Sequence, residues 1–229
     1  MCGRYVTIST PEELAERFDV QRVDVDALEQ RYNVAPTTQV PVVLERDGAR
    51  TLQTMRWGFV PFWAKQVGKG PQPINARVET IDDKRMFSSG FRKRRLLMPA
   101  DGFYEWQARE GSTKKQPWFI HDPEDQPLAF AGIWSRWKDK ESGETVESTC
   151  ILTRDAAGRM TDLHHRMPVV LPSNLWATWL EADEKEAPYL HEVVANAGVP
   201  ALEARTITDR VNNVRNEGPE LVEAGVVED

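Results

Sequence analysis

The 229-residue chain is 40% hydrophobic and 28% charged, which supplies apolar mass for one sizeable core and no uncharged run long enough to span a bilayer. Its 29 basic and 36 acidic side chains leave a formal net charge of −7, which argues against indiscriminate coating of nucleic acid but not against a local basic groove. Two cysteines, Cys2 and Cys150, do not make a disulfide framework; one bridge stays open, and a reducing compartment fits better.

The opening Met1-Cys2-Gly3-Arg4-Tyr5 lacks the apolar stretch of a secretory signal, so an intracellular, cytoplasmic protein is expected. Thr10 to Phe18 reads as a helix start: Thr10 caps, Pro11 suits the first turn, Glu13 completes a capping box, and Leu14 and Phe18 face a core. Strands are predicted at Val40 to Leu44, Leu52 to Trp57, Leu96 to Met98, Phe103 to Trp106, Trp118 to His121, Leu128 to Trp137 and Ser148 to Thr153. Ala64 to Pro73 is a loop by composition, and Lys138 to Glu144 a charged hairpin turn. Helical patterns return at Asn174 to Glu181 and Pro188 to Ala197, and residues 216–229 read as a frayed acidic tail. Many strands with few helices between them predict an α+β or β-barrel-like fold rather than a doubly wound sheet. Charge is uneven: residues 1–115 hold 19 Lys/Arg against 15 Asp/Glu, and the remainder 10 against 21.

Several windows carry chemistry. Methionine removal would leave Cys2 with both a thiol and a free α-amine, titrating near pH ~8.5 and ~8; such a 1,2-aminothiol condenses with an aldehyde to a thiazolidine, or attacks an acyl group. The alternative is that Cys2 merely packs. Asn75, Arg77 and Glu79, if extended, share one face and could hold a phosphate and orient a reacting group, or form a solvated polar strand. Glu105 lies among Phe103, Tyr104 and Trp106, where burial would raise its pKa for proton transfer unless it reaches water. His164 and His165 precede Arg166; strand alternation predicts that they point apart, with one entering a site, or both structural. Lys84 to Arg95 holds six cations and no acid, and Phe87 and Phe91 within it read as core anchors. No metal-ligand spacing is present, so no metal is expected.

These windows, with Tyr32 to Pro36, Arg56 to Trp63 and Pro99 to Trp106, resemble in order and wording the SOS response-associated peptidase (SRAP) family, over residues 2 to about 215. The resemblance implies a single α+β domain at 1–215, with a β-barrel-like mixed sheet core and peripheral helices, followed by the tail at 216–229. It implies an enzyme-like, monomeric protein without cofactor that recognises abasic sites in single-stranded DNA during a damage response. Cys2 would form a covalent thiazolidine crosslink, Asn75 position the adduct, Glu105 shuttle protons and His164 assist at the sugar. Arg4, Arg77, Arg85 and Arg166 would contact DNA phosphates, Pro36 and Trp63 would border bases, and Thr153 is a polar neighbour. The family name also implies peptidase or hydrolase activity, and lyase chemistry is a further expectation. Competing expectations are a non-covalent reader of modified or junction DNA and a cysteine peptidase. Two departures stand out: Leu96-Leu97 where relatives often carry cysteine, and Ala64 where some carry a second stacking aromatic.

Overall fold

The computed structural model describes residues 2–182 and 187–227. In chain order the strands are β1 (Tyr5–Thr7), β2 (Arg22–Val23), β3 (Arg31–Val34), β4 (Gln39–Arg46), β5 (Ala49–Trp57), β6 (Asn75–Arg77), β7 (Arg95–Ala100), β8 (Gly102–Gln107), β9 (Gln116–His121), β10 (Leu128–Lys138), β11 (Thr145–Asp155), β12 (Arg166–Pro168) and β13 (Glu203–Thr206). The α-helices are α1 (Pro11–Arg17), α2 (Ser88–Lys93), α3 (Trp176–Glu181) and α4 (Ala187–Asn196).

Strands β11, β10, β7, β4 and β5 hydrogen-bond in that order. β5 then returns to β11, pairing in parallel at Arg56 with Ser148 and Trp57 with Thr149, which closes a barrel and leaves those strands no free edge. β6 and β12 attach to β11, and β2 to β5. A second sheet, ordered β13-β9-β8-β1-β3, packs against it. The α+β, barrel-centred fold expected from the sequence is the one observed.

The barrel strands read as near-continuous apolar runs because both of their faces are buried. Val42, Leu44, Met55, Leu96, Met98, Phe130 and Ile151 belong to one cluster, while the alternate residues Val43, Leu52, Leu97, Ile133 and Cys150 pack with the helices. Burying each such Val, Leu or Ile stabilises the fold by about 1.5–3 kcal/mol. Tyr5 joins the two sheets: its ring meets Trp57 edge-on at 5.1 Å and Phe130 at 6.2 Å. At the β10–β11 hairpin end, Arg46, Gln53 and Arg136 all hydrogen-bond to Glu147. Trp134 lies beneath the guanidinium groups of Arg46, Arg94 and Arg136.

The α1 capping box forms as predicted: Glu13 N donates to Thr10 Oγ1 at 3.2 Å and Thr10 N to the Glu13 carboxylate at 2.7 Å. Phe87 and Phe91 are buried, but the basic run around them is not uniformly a surface. Arg95 is buried, its guanidinium donating to the carbonyls of Trp179, Phe91 and Arg92. The expected frayed tail is corrected through residue 227. Leu221 and Val227 are buried, Val227 N donates to Gln116 Oε1, and Gly225 N donates to Thr206 O, so the segment is docked on β9 and β13. Its apolar residues are too few to register as a pattern, yet Leu221 and Val227 each find a buried site, while Val226 faces outward. Residues 228–229 of that tail lie outside the described residues, as does Met1.

Candidate functional site

Cys2 is buried immediately before β1. Antiparallel pairing of Tyr5 with Phe103, continued by Tyr104 N donating to Arg4 O, carries the N-terminal segment along β8 toward Glu105. The Cys2 thiol contacts the Arg4 carbonyl at 3.9 Å. Burial pushes its pKa upward and the Glu105 carboxylate adds to the effect, so the resting sulfur is a thiol. Tyr5 Oη and Asn75 Oδ1 are buried and make no hydrogen bond among the described residues, an uncommon condition for polar atoms in a folded interior.

Asn75 opens β6, which lies parallel to β11 with Asn75 beside Ile151 and Arg77 beside Thr153. Its Nδ2 donates to the Cys2 carbonyl at 2.9 Å. The expected row of Asn75, Arg77 and Glu79 on one face does not form, because β6 ends at Arg77 and Val78–Thr80 turn into a 3-10 helix. Glu79 instead meets Arg166 at 2.8 Å. The Arg166 guanidinium also bonds Asp155 Oδ1 at 2.5 Å and the Thr153 carbonyl at 2.7 Å. Burial pushes the Glu79 pKa up, but the hydrogen bonds from Arg166 outweigh it and hold the carboxyl below its ordinary value. Arg166 therefore ties the 3-10 helix that follows β6 to β11 and β12, with its side chain only 4% exposed.

Glu105 sits in β8 opposite Trp118, and is 2% exposed. Burial raises its pKa, with Lys115 among the charges that oppose the rise. His164 follows a 3-10 turn (Gly158–Asp162) that β8 anchors through Gln107 Nε2 donating to Asp162 O at 2.8 Å. Burial lowers the His164 pKa, and Lys115 also contributes, so Glu105 and His164 share an electrostatic neighbour. The prediction that His164 and His165 point apart is corrected: their rings stack, with centroids 4.2 Å apart. Both residues precede β12, so strand alternation does not apply to them.

The remaining expected contacts differ in accessibility. Arg77 and Arg85 are exposed, and Trp63 is 48% exposed. Arg77 and Asn75 line a groove of about 690 Å³ together with Pro71, Lys84, Met86 and Phe87. Trp63 lines a separate groove of about 730 Å³ with Phe62 and Trp137. Pro36 is half-buried in the turn after β3. Arg4 bonds Asn33 Oδ1 at 2.7 Å and the Val211 carbonyl at 2.9 Å, and burial lowers its pKa. Thr153 is buried, its hydroxyl 3.4 Å from the Ala76 carbonyl. Among the described residues, no group of three or more His, Cys, Asp and Glu side chains could hold a metal ion. Nor is any described helix long and apolar enough to cross a membrane. Sequence reasoning missed that Met86 and Phe87 line this groove and that the Tyr5 hydroxyl makes no hydrogen bond among the described residues; the aromatic residue that closes the Met1–Tyr5 opening was the available signal for Tyr5.

Comparison with known proteins gives a consistent result. The profile described as SOS response associated peptidase (SRAP) matches residues 1–214. Abasic site processing protein YedK of Escherichia coli (strain K12) is 37% identical, over 97% of this chain and 99% of its own. Abasic site processing protein YoqW of Bacillus subtilis (strain 168) is 32% identical, over 98% of this chain and 100% of its own. A crystal structure of a Bacteroides thetaiotaomicron protein superposes with a TM-score of 0.81 at 25% identity, covering 98% of this chain and 100% of that one.

Proposed function

Since the chain belongs to the SOS response associated peptidase (SRAP) family, we propose that it captures abasic sites in single-stranded DNA as a covalent thiazolidine on Cys2. The observation that carries this reading is the grouping around Cys2: Asn75 bonded to its carbonyl, and the buried Glu105 carboxyl acting on its sulfur. A 1,2-aminothiol flanked by a proton-carrying acid suits an aldehyde better than an inert packing role, and abasic deoxyribose supplies the aldehyde.

On this reading Met1 is removed and the Cys2 α-amine becomes the first nucleophile. Glu105, its pKa raised by burial, donates a proton to the ring oxygen of the closed sugar as the C1′–O4′ bond opens, and the anomeric hydroxyl returns a proton to the Glu105 carboxylate so formed as the aldehyde appears. The amine adds to the aldehyde carbon, and the resulting carbinolamine loses one water to give an imine. The thiol then adds to the imine carbon while its proton passes to the nitrogen, closing the five-membered ring. The net change is aldehyde plus cysteine giving thiazolidine plus one water. A sulfur held as thiol fits the second place in that order, because proton and sulfur can transfer together.

His164 assists at the sugar, and Asn75 holds the Cys2 main chain while the adduct forms. Arg77 and Arg85 serve the flanking phosphates directly, Arg166 through the frame it makes with β11, and Arg4 through the N-terminal segment it holds against Asn33; Pro36 and Trp63 border the bases. The protein acts as a monomer. Intact mass spectrometry before and after incubation with an abasic oligonucleotide tests the proposal. The expected result is a chain lacking Met1 that gains the oligonucleotide mass less one water, with no gain in Cys2→Ala. An equally heat-stable adduct in Cys2→Ala would overturn it.

A further inference from the structure

Strand alternation sorts β8 and β9 into two faces. Tyr104 and Phe119 belong to one apolar cluster, with Trp106 packed against it, while Phe103 and Ile120 belong to the cluster that holds Cys2. Glu105 and Trp118 fall on this second face and are direct cross-strand partners, a relation that brings Cβ atoms to about 4.5–5.5 Å. Trp118 packs on the Cys2 cluster, which also contains Met160 and Leu163 of the segment leading to His164. Its indole is clamped: Trp118 Nε1 donates to Gln107 Oε1 at 3.1 Å, and Gln107 Nε2 donates in turn to Asp162 O at 2.8 Å. Gln107 lies two residues beyond Glu105 in β8, so one amide fixes the indole and joins it to the turn before His164.

A carboxyl holds its proton toward neutral pH only while its surroundings keep water away. Phe103 and Ile120 are 0% exposed, whereas Trp118 is half-buried and so stands where this face meets solvent. We infer that Trp118 is a positioning residue for Glu105, its clamped indole forming the wall that keeps water off the carboxyl. That this carboxyl is the acid of ring opening rests on the abasic-site reading; the wall does not. Burial is the largest influence on Glu105 and raises its pKa, while the amino terminus, Lys115 and the Trp106 main chain oppose the rise. Cys2 and His164 are the other titratable groups of the site, and Glu105 acts on the Cys2 thiol. An apolar ring bears on burial alone, which separates its effect from that of these charges.

Two measurements on the full chain test this. Carbon NMR of the glutamate carboxyls, with the Glu105 signal assigned by its absence in Glu105→Gln, follows the titration directly. The midpoint in Trp118→Ala should lie below the wild-type one, toward the ordinary glutamate value of about 4.3; Trp118→Phe, which keeps a flat apolar ring, should stay near the wild type. In the wild type the Trp118 indole N–H resonance should move with that titration and stay still in Glu105→Gln, a readout that does not depend on Trp118→Ala folding. Single-turnover crosslinking to an abasic oligonucleotide at pH ~8 should be about tenfold slower in Trp118→Ala, a part of the 10²- to 10⁴-fold that a positioned acid supplies. Its alkaline limb should move to lower pH, and Trp118→Phe should recover the rate. If the wild type forms no adduct while the carboxyl behaves as stated, the abasic-site reading falls and the positioning role stands. Equal carboxyl midpoints in wild type and Trp118→Ala, an indole resonance indifferent to Glu105, or a Trp118→Phe as impaired as Trp118→Ala would overturn the positioning role, whether or not the adduct forms.

Discussion

The side-chain amide of Asn75 reaches the main-chain carbonyl of Cys2 at 2.9 Å, across 73 positions of sequence. The bond fixes the N-terminal segment beside β6, and it holds Cys2 through its backbone rather than through its side chain. Asn75→Ala should leave the fold intact and slow adduct formation about fivefold to tenfold, the effect of one hydrogen bond of roughly 1 kcal/mol. Denaturing gels of a time course with abasic oligonucleotide measure it; an unchanged rate would mean that the bond does not serve the reaction.

Glu105→Gln should slow crosslinking by about 10²- to 10⁴-fold, the usual contribution of a positioned acid or base. It should also make the protein more stable in alkali. The folded-state pKa of Glu105 is raised by burial, so folding favours the protonated form. The associated stability is present below the unfolded carboxyl pKa of about 4.3 and is lost as pH rises through the higher folded value. The melting temperature of Glu105→Gln should therefore exceed that of the wild type at pH ~8 and match it at pH ~4. A variant less stable than wild type at both pH values contradicts the assignment.

Arg166→Ala should lower stability by about 2 kcal/mol, at the modest end for a broken buried pair because its partners reach water. Asp155 is 86% and Glu79 42% exposed, which softens the loss. A melting point lower by ~4–8 °C is expected for a chain of this size. Since Arg166 holds the Glu79 pKa down, the pair's contribution is present above the unfolded carboxyl value and fades as pH falls through the folded one. Thermal scans at pH ~7 and ~3 should show the wild-type advantage shrinking in acid.

Gly102→Ala should destabilise by about 1–3 kcal/mol through overpacking. A Cβ there would fall on the Phe119 ring and 2.9 Å from the Ile120 carbonyl, since β8 and β9 approach closely at this point. Urea denaturation with an unchanged slope and a lower midpoint is the expected outcome; an unshifted midpoint would show that β9 yields freely.

Local chemistry was readable from the sequence wherever the partners lie within a few residues or repeat along a strand. The Thr10–Glu13 box formed as its spacing requires, and the apolar runs of β4, β5, β7, β10 and β11 became the barrel. The N-terminal cysteine motif and the windows around Asn75, Glu105 and His164 marked the family, because their side-chain chemistry is unusual for their surroundings. Partner choice was decided by the tertiary structure. Glu79 turned from Arg77 to Arg166, 87 positions away, and residues 216–227 docked because β9 and β13 offer them hydrogen bonds. His164 and His165 stacked because the chain there leaves a 3-10 turn before it enters β12. Periodicity describes only which way a residue points if its element is regular; at short strands and turns, the bonds made across the fold set the direction.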